Sequence, residues 1–152
     1  MKIAINTYYG CFRLSAEAEV MFYKRKYKNL YFYKNQYDLQ NNLIGMKMVT
    51  ESEYLEKANS CFDYNITYRY LGQFMPFEHE GFCEYFVNNG LYRDGDKRAD
   101  VDLIEVIKTF GEEKASGRFS KIKIIEIPND VDYEIEEYDG NEWISEKHRT
   151  WR

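Results

Sequence analysis

Asp139 and Gly140 restrict the folding of this chain more than any other pair of residues. They stand between two runs, Val131–Tyr138 and Asn141–Arg149. Asp-Gly is a favoured centre for a two-residue β-hairpin turn, because both turn positions take positive φ. Such a loop sets the register: Tyr138 faces Asn141, Glu136 faces Trp143, Ile135 faces Ile144 and Asp132 faces Lys147. One face of the predicted hairpin then carries Tyr133, Ile135, Ile144 and His148 and is expected to lie against a helix. The other carries Glu136, Tyr138, Trp143, Lys147 and Arg149. Opposite charges across strands add roughly 0.2–1 kcal/mol per pair, which gives most of these charges a structural use. Trp143–Arg149 also reads as a helical turn.

The helix expected to cover the hairpin begins at Asp100, an N-cap, with Asp102 and Glu105 near the positive end of the dipole. Leu103, Ile104, Ile107 and Phe110 recur at helical spacing, and Gly117 ends the pattern. Gly111 lies inside it, at a cost of about 1 kcal/mol relative to alanine. Close packing on a sheet is the expected reason. Lys121–Ile127 alternates and is rich in isoleucine, which favours a strand, and Pro128 breaks it.

Lys2–Asn6 is a short strand with Ile3 and Ile5 on one side. Ser15 is an N-cap for a helix from Ala16 to about Tyr27, with Ala18, Met21 and Phe22 on one face. The basic cluster Lys24, Arg25, Lys26 and Lys28 suits the negative end of that helix. Leu30–Tyr33 and Met46–Val49 are strand candidates, separated by a polar loop or the remains of a hairpin. Thr50 and Glu53 form a capping box before a short helix, Glu51–Asn59. Phe62–Leu71 alternates as a strand with an aromatic face, and Gly72–Gly81 is a loop holding Pro76, Phe77 and His79. Phe82–Val87 and Leu91–Arg93 are expected as short strands before a turn at Asp94, Gly95 and Asp96. These elements predict a single α+β domain over residues 1–152, a mostly antiparallel sheet with two main helices packed against it.

The opening Lys2-Ile3-Ala4-Ile5-Asn6 and the closing run from Glu137 to Trp151, E-Y-D-G-N-E-W-I-S-E-K-H-R-T-W, carry a resemblance. The chain resembles a family of small bacteriophage and prophage proteins with a K-I-x-I-N strand and an E-Y-D-G-x-E-W-I-x-E-x-H-R-T-W ending. The resemblance implies a phage origin, the cytoplasm of the infected bacterium and a variable middle, about residues 30–95. It implies no reaction.

Charge bears on the class of function. The net charge of −5 disfavours sequence-independent binding to nucleic acid. From Glu126 to Glu146 there are nine acidic residues and no lysine or arginine. Cys11, Cys61 and Cys83 are odd in number and have no C-x-x-C spacing, so they read as reduced thiols of a cytosolic protein. No secretory segment opens the chain and no apolar run would span a bilayer, so no membrane association is expected.

Two binding readings follow, and one catalytic. A rigid hairpin carrying Glu134, Glu136, Glu137, Asp139 and Glu142 would present carboxylates to a basic host protein, as a counter-defence factor would. A nucleotide-type immune signal would instead need cations, a helix start and aromatic faces; Arg13, Ser15, Tyr138, Trp143, Arg149 and Trp151 are the candidates. Thr7 is a further contact for an anion, although Gly10 alone makes no phosphate-binding motif. A small enzyme with a Glu/His site would draw on His148, His79 or a cysteine. Glu142, Glu146 and His148 share a face of the predicted hairpin, yet no metal-ligand spacing is present, and no metal or cofactor is expected. Asp94, Asp96, Asp100 and Asp102 have turn and capping uses. A non-catalytic protein that acts by binding is the reading these residues favour.

Overall fold

Isoleucine-rich strands from opposite ends of the chain pair with each other. The computed structural model describes residues 1–59, 68–71 and 90–147. In it β1 (Lys2–Asn6) runs antiparallel to β5 (Ile122–Glu126), in register from Lys2 opposite Glu126 to Asn6 opposite Ile122. Ile3, Ala4 and Ile5 are all buried, so both faces of β1 are covered. The amino group of Met1 donates to the carbonyl of Ile127 and to Asn129 Oδ1, fastening the end of the ladder.

The fold is α+β, and every strand pair among the described residues is antiparallel. Among the described residues the pairs are spread over three small sheets: β1 with β5; β2 (Tyr31–Tyr37) between β3 (Leu43–Val49) and β4 (Tyr68–Leu71); and β6 (Tyr133–Tyr138) with β7 (Asn141–Glu146). Two compact units make up the chain, Met1–Phe22 with Asn89–Arg152, and Tyr23–Asn88. Helix α1 (Ala16–Lys26) runs across the division in sequence.

In the first unit, helix α4 (Val101–Phe110) starts where the sequence places it. The Asp100 carboxylate accepts from the N–H groups of Asp102 at 2.9 Å and Leu103 at 3.1 Å. Leu103, Ile104, Val106 and Ile107 are buried, and each such side chain contributes about 1.5–3 kcal/mol when removed from water. The helix does not run on to Gly117. Gly111, at φ 80°, ends it, and a separate turn, α5 (Glu112–Ala115), follows. The reason expected for Gly111 also changes, because beyond its chain neighbours no atom lies within 4 Å of where its Cβ would be. What the position demands is the backbone conformation. Gly117 is instead the point of close approach: a Cβ there would meet the Leu14 carbonyl at 2.5 Å, and its N–H donates to Arg13 at 2.7 Å.

Leu91–Arg93 is helical, not a strand: α3 (Gly90–Arg93) is followed by a 3₁₀ turn over Gly95–Lys97. The polar Asp-Gly-Asp-Lys run closes i to i+3 bonds there, from Lys97 N–H to Asp94 and from Arg98 N–H to Gly95. Tyr92 is buried; its hydroxyl donates to the buried Glu19 carboxylate and its ring meets Phe22 edge-on at 5.7 Å.

The hairpin β6 (Tyr133–Tyr138) and β7 (Asn141–Glu146) has the predicted register at every pair from Tyr138–Asn141 to Tyr133–Glu146. Asp139 at φ 52° and Gly140 at φ 81° form the turn, and Lys147 N–H donates to the Asp132 carbonyl just beyond the ladder. Trp143–Glu146 is therefore strand and not a helical turn, while His148 lies outside the described residues.

In the second unit, β2 (Tyr31–Tyr37) and β3 (Leu43–Val49) form a longer hairpin than the sequence suggests. Polar Lys34, Asn35 and Gln36 belong to the strand because Asp38 closes the turn, accepting from the N–H groups of Gln40 at 2.9 Å and Asn42 at 2.8 Å. Strand β4 (Tyr68–Leu71) pairs on the other side of β2. The capping box of α2 (Glu51–Asn59) is formed as expected: Thr50 N–H donates to Glu53 at 2.9 Å, and Glu53 N–H donates to the Thr50 hydroxyl at 3.2 Å. Lys24 pairs with Glu51 at 2.7 Å. The start of the Phe62–Leu71 strand, the loop with His79 and the strand Phe82–Val87 lie outside the described residues.

Two glycines separate conformational strain from steric contact. A Cβ on Gly140 would overlap the Gly10 carbonyl as well as occupy a positive φ, whereas Gly111 has the φ alone. Gly111→Ala is expected to cost about 1–3 kcal/mol, and Gly140→Ala to cost distinctly more, both read from urea unfolding midpoints. Acid sensitivity gives a second test. The Asn42 side-chain amide and backbone N–H hold Asp38 below its ordinary 3.8, and the Thr50 N–H and hydroxyl hold Glu53 below 4.5. Folding depresses both values, so the stabilisation stands above the ordinary pKa and is lost as pH falls through the depressed one. Asp38→Asn with Glu53→Gln should flatten the acid limb of a plot of Tm against pH.

Candidate functional site

A strand with no neighbour on one side exposes N–H groups that need acceptors. On the free side of β1 the Ala4 N–H donates to the Arg98 carbonyl at 2.9 Å, and the Asn6 N–H donates to Glu142 Oε2 at 2.7 Å. The Glu142 carboxylate is also gripped by Arg98, with Nη1 to Oε2 at 2.9 Å and Nη2 to Oε1 at 3.0 Å. Arg98 Nε donates to the Arg93 carbonyl at 2.9 Å, and its guanidinium lies 3.5 Å from the centre of the Phe12 ring. The pair is buried, with side chains 5% and 10% exposed. Burial pulls the Arg98 pKa below its ordinary value, against the bonds and charge of Glu142.

Asn6 ties the same region from the other end of β1. Its amide donates to the carbonyls of Tyr8, Gly10 and Gly140, at 2.8, 3.0 and 2.7 Å. Its Oδ1 accepts from Lys121 N–H at 2.8 Å and the Ser120 hydroxyl at 3.2 Å. The N-terminal strand and the C-terminal hairpin therefore meet. Between the Gly10–Phe12 segment, Arg93 and the hairpin turn is a groove of about 480 Å³ whose lining includes Cys11, Phe12, Arg93, Glu137 and Asp139. Cys11 is a free, exposed thiol.

The residues expected to hold a nucleotide are not gathered in that groove. Arg13 is exposed and does not line it, and nor does Ser15, whose hydroxyl accepts from the Ala18 N–H at 3.4 Å at the start of α1. Tyr138 and Trp143, 75% and 41% exposed, stand on the outward face of the hairpin with Glu134 and Glu136. Arg149 and Trp151 lie outside the described residues, as do Cys61, Cys83 and His79. Of the carboxylates expected to meet a partner, Glu134, Glu136, Glu137 and Asp139 are exposed, and Glu136 accepts from the Ser145 hydroxyl. Glu142 is the exception. It is bound to Arg98 and β1 and belongs to the framework, not to an outward surface.

That inward turn was implicit in the register, since Glu142 has the strand parity of Ile144 and so shares its inward face. Nothing in the polar run around Arg98 marks it as a buried cation, and an asparagine ending a strand gives no sign of five hydrogen bonds. Among the described residues no group of three or more His, Cys, Asp or Glu is placed to hold a metal ion. Nor is any described helix long and apolar enough to cross a membrane. No family model, curated protein or solved structure matches the chain.

Glu142→Ala leaves Arg98 buried without its counter-charge and the Asn6 N–H without its acceptor. Chemical denaturation should show a loss of about 3–5 kcal/mol. The double variant Arg98→Met, Glu142→Ala should recover part of it, because no uncompensated buried charge remains.

Proposed function

We propose that this chain is a non-catalytic bacteriophage accessory protein that acts in the host cytoplasm by docking on a basic surface of a host protein, as a counter-defence factor. The phage setting rests on the resemblance of the two chain ends. The mode of action rests on one observation: the outward face of the β6–β7 hairpin carries Glu134, Glu136, Tyr138 and Trp143 together, with Glu137 and Asp139 exposed near the turn. Aromatic rings supply contact area at little entropic cost and are enriched among the residues that dominate interface energies. The surrounding carboxylates supply the sign of charge that steers a basic partner into place and penalises acidic ones. Because Glu142 anchors the hairpin from its inner face, little ordering free energy remains to be spent on binding.

A tagged protein used to capture its partner from host lysate, followed by titration with the purified partner, tests this reading. Glu134→Lys, Glu136→Lys and Glu137→Lys together should weaken the complex about tenfold or more and leave the Tm close to that of the parent. Affinity should also fall as salt rises, since these charges are exposed. Unchanged affinity in the triple variant rejects the hairpin as the docking face, and turnover of a substrate rejects the non-catalytic assignment.

A further inference from the structure

The other large concavity of the first unit has the opposite charge character. It is a cavity of about 730 Å³ between the Tyr8 loop, α5 and the start of β5, and its lining includes Tyr8, Arg118, Phe119, Lys121 and Lys123. Three cations therefore line one cavity in a protein whose net charge is −5. Among the described residues none of the three forms an ion pair. Two carboxylates also line the cavity, Glu112 and Glu113, and Glu112 is engaged by the Ile124 N–H at 2.8 Å. The two serines there are occupied as well. Ser116 donates to the Glu112 carbonyl and accepts from Ile122 N–H, while Ser120 donates to Asn6.

The aromatic residues are held outward by the backbone. Phe119 is 63% exposed and sits at φ 61°, a conformation that a bulky residue rarely takes without the surroundings imposing it. They do impose it. Ser120 N–H closes a turn onto the Gly117 carbonyl, and the Phe119 carbonyl lies so close to Gly10 that a Cβ there would overlap it. The Arg118 guanidinium is 4.8 Å from the centre of the Phe119 ring, and Tyr8 is 49% exposed on the same cavity. Lys121 and Lys123 spring from anchored backbone, bonded to Asn6 and Thr7 in the first case and paired with Ile5 in the second.

We infer that this cavity binds a nucleotide, with the phosphates held by Arg118, Lys121 and Lys123 and the base stacked on Phe119 or Tyr8. Unpaired cations on fixed backbone suit phosphate, and exposed rings suit the flat face of a base. The volume is that of a small-molecule site. A long polyanion fits less well, because the acidic stretch Glu126–Glu146 follows directly in sequence. The site is separate from the residues that the sequence offered for such a ligand, and none of its described lining residues belongs to the hairpin.

Calorimetric titration with ATP, UTP and cyclic di-AMP, beside adenosine, inorganic phosphate and a single-stranded oligonucleotide, tests the inference. At least one nucleotide should bind, more tightly than adenosine or phosphate and more weakly as salt rises. Arg118→Ala and Lys123→Ala should each weaken it about ten- to a hundredfold, and Phe119→Ala about five- to a hundredfold. Circular dichroism would verify that the variants fold. The triple hairpin variant should bind the nucleotide as the parent does, so that the two proposals fail separately. No heat with any of the three nucleotides at millimolar concentration overturns the inference. So does affinity unchanged in all three cavity variants, or binding of the oligonucleotide alone.

Discussion

The side of β1 that faces away from β5 has no strand to bond among the described residues, and side chains and loops of the first unit supply acceptors to it. A carboxylate from β7 and a carbonyl from the segment after the 3₁₀ turn take that place, and the arginine bearing the carbonyl also neutralises the carboxylate. The far side of β5 has the same solution. Its Ile122 and Ile124 N–H groups donate to the Ser116 hydroxyl and the Glu112 carboxylate. A two-stranded sheet is marginal alone, but here side chains and one backbone carbonyl accept from both edges, and Ile3, Ile5 and Ile122 are buried. The net stability from a buried ion pair is small, because desolvation offsets most of the attraction. What Arg98 and Glu142 provide is placement: with the bond from Asn6 to Gly140, they fix the hairpin to β1.

Charge is divided within that unit in a way the net value conceals. The hairpin carries exposed acid on its outward side, while the loop from Arg118 to Lys123 carries cations beside exposed rings. Asn6 lies between them, bonded to the hairpin turn at Gly140 and to the loop at Ser120 and Lys121. The two surfaces therefore share a rigid support, and a side chain with no contact to solvent positions both.

Local chemistry was legible in the sequence. The Asp139–Gly140 turn gave the hairpin register, Asp100 gave the start of α4, and Thr50 with Glu53 gave the start of α2, because each signal acts over a few residues. The full length of the β2–β3 hairpin is hidden in the sequence, since its polar strand residues mask the alternation and the turn depends on one aspartate side chain. Gly111 and Gly117 exchange the roles that their spacing suggests: the one that ends the helix needs its φ, and the other needs its lack of a Cβ. The basic cavity was not foreseen because its residues are spread from Tyr8 to Lys123 and gathered by the β1–β5 pairing. Arg98 escaped for the same reason, as its partner is 44 residues away.

Pairing β1 with β5 also has a consequence for the order in which the chain acquires structure. During synthesis the first strand leaves the ribosome more than a hundred residues before its partner exists, so Ile3 and Ile5 remain uncovered while the Tyr23–Asn88 unit is made. The intervening unit has its sheet contacts within itself and so is free to form first. Closure of the discontinuous unit must wait for Glu126, and the Glu142 clasp for the hairpin after that. A chain cut short before that point would leave two isoleucines and an unpaired strand edge available to other strands.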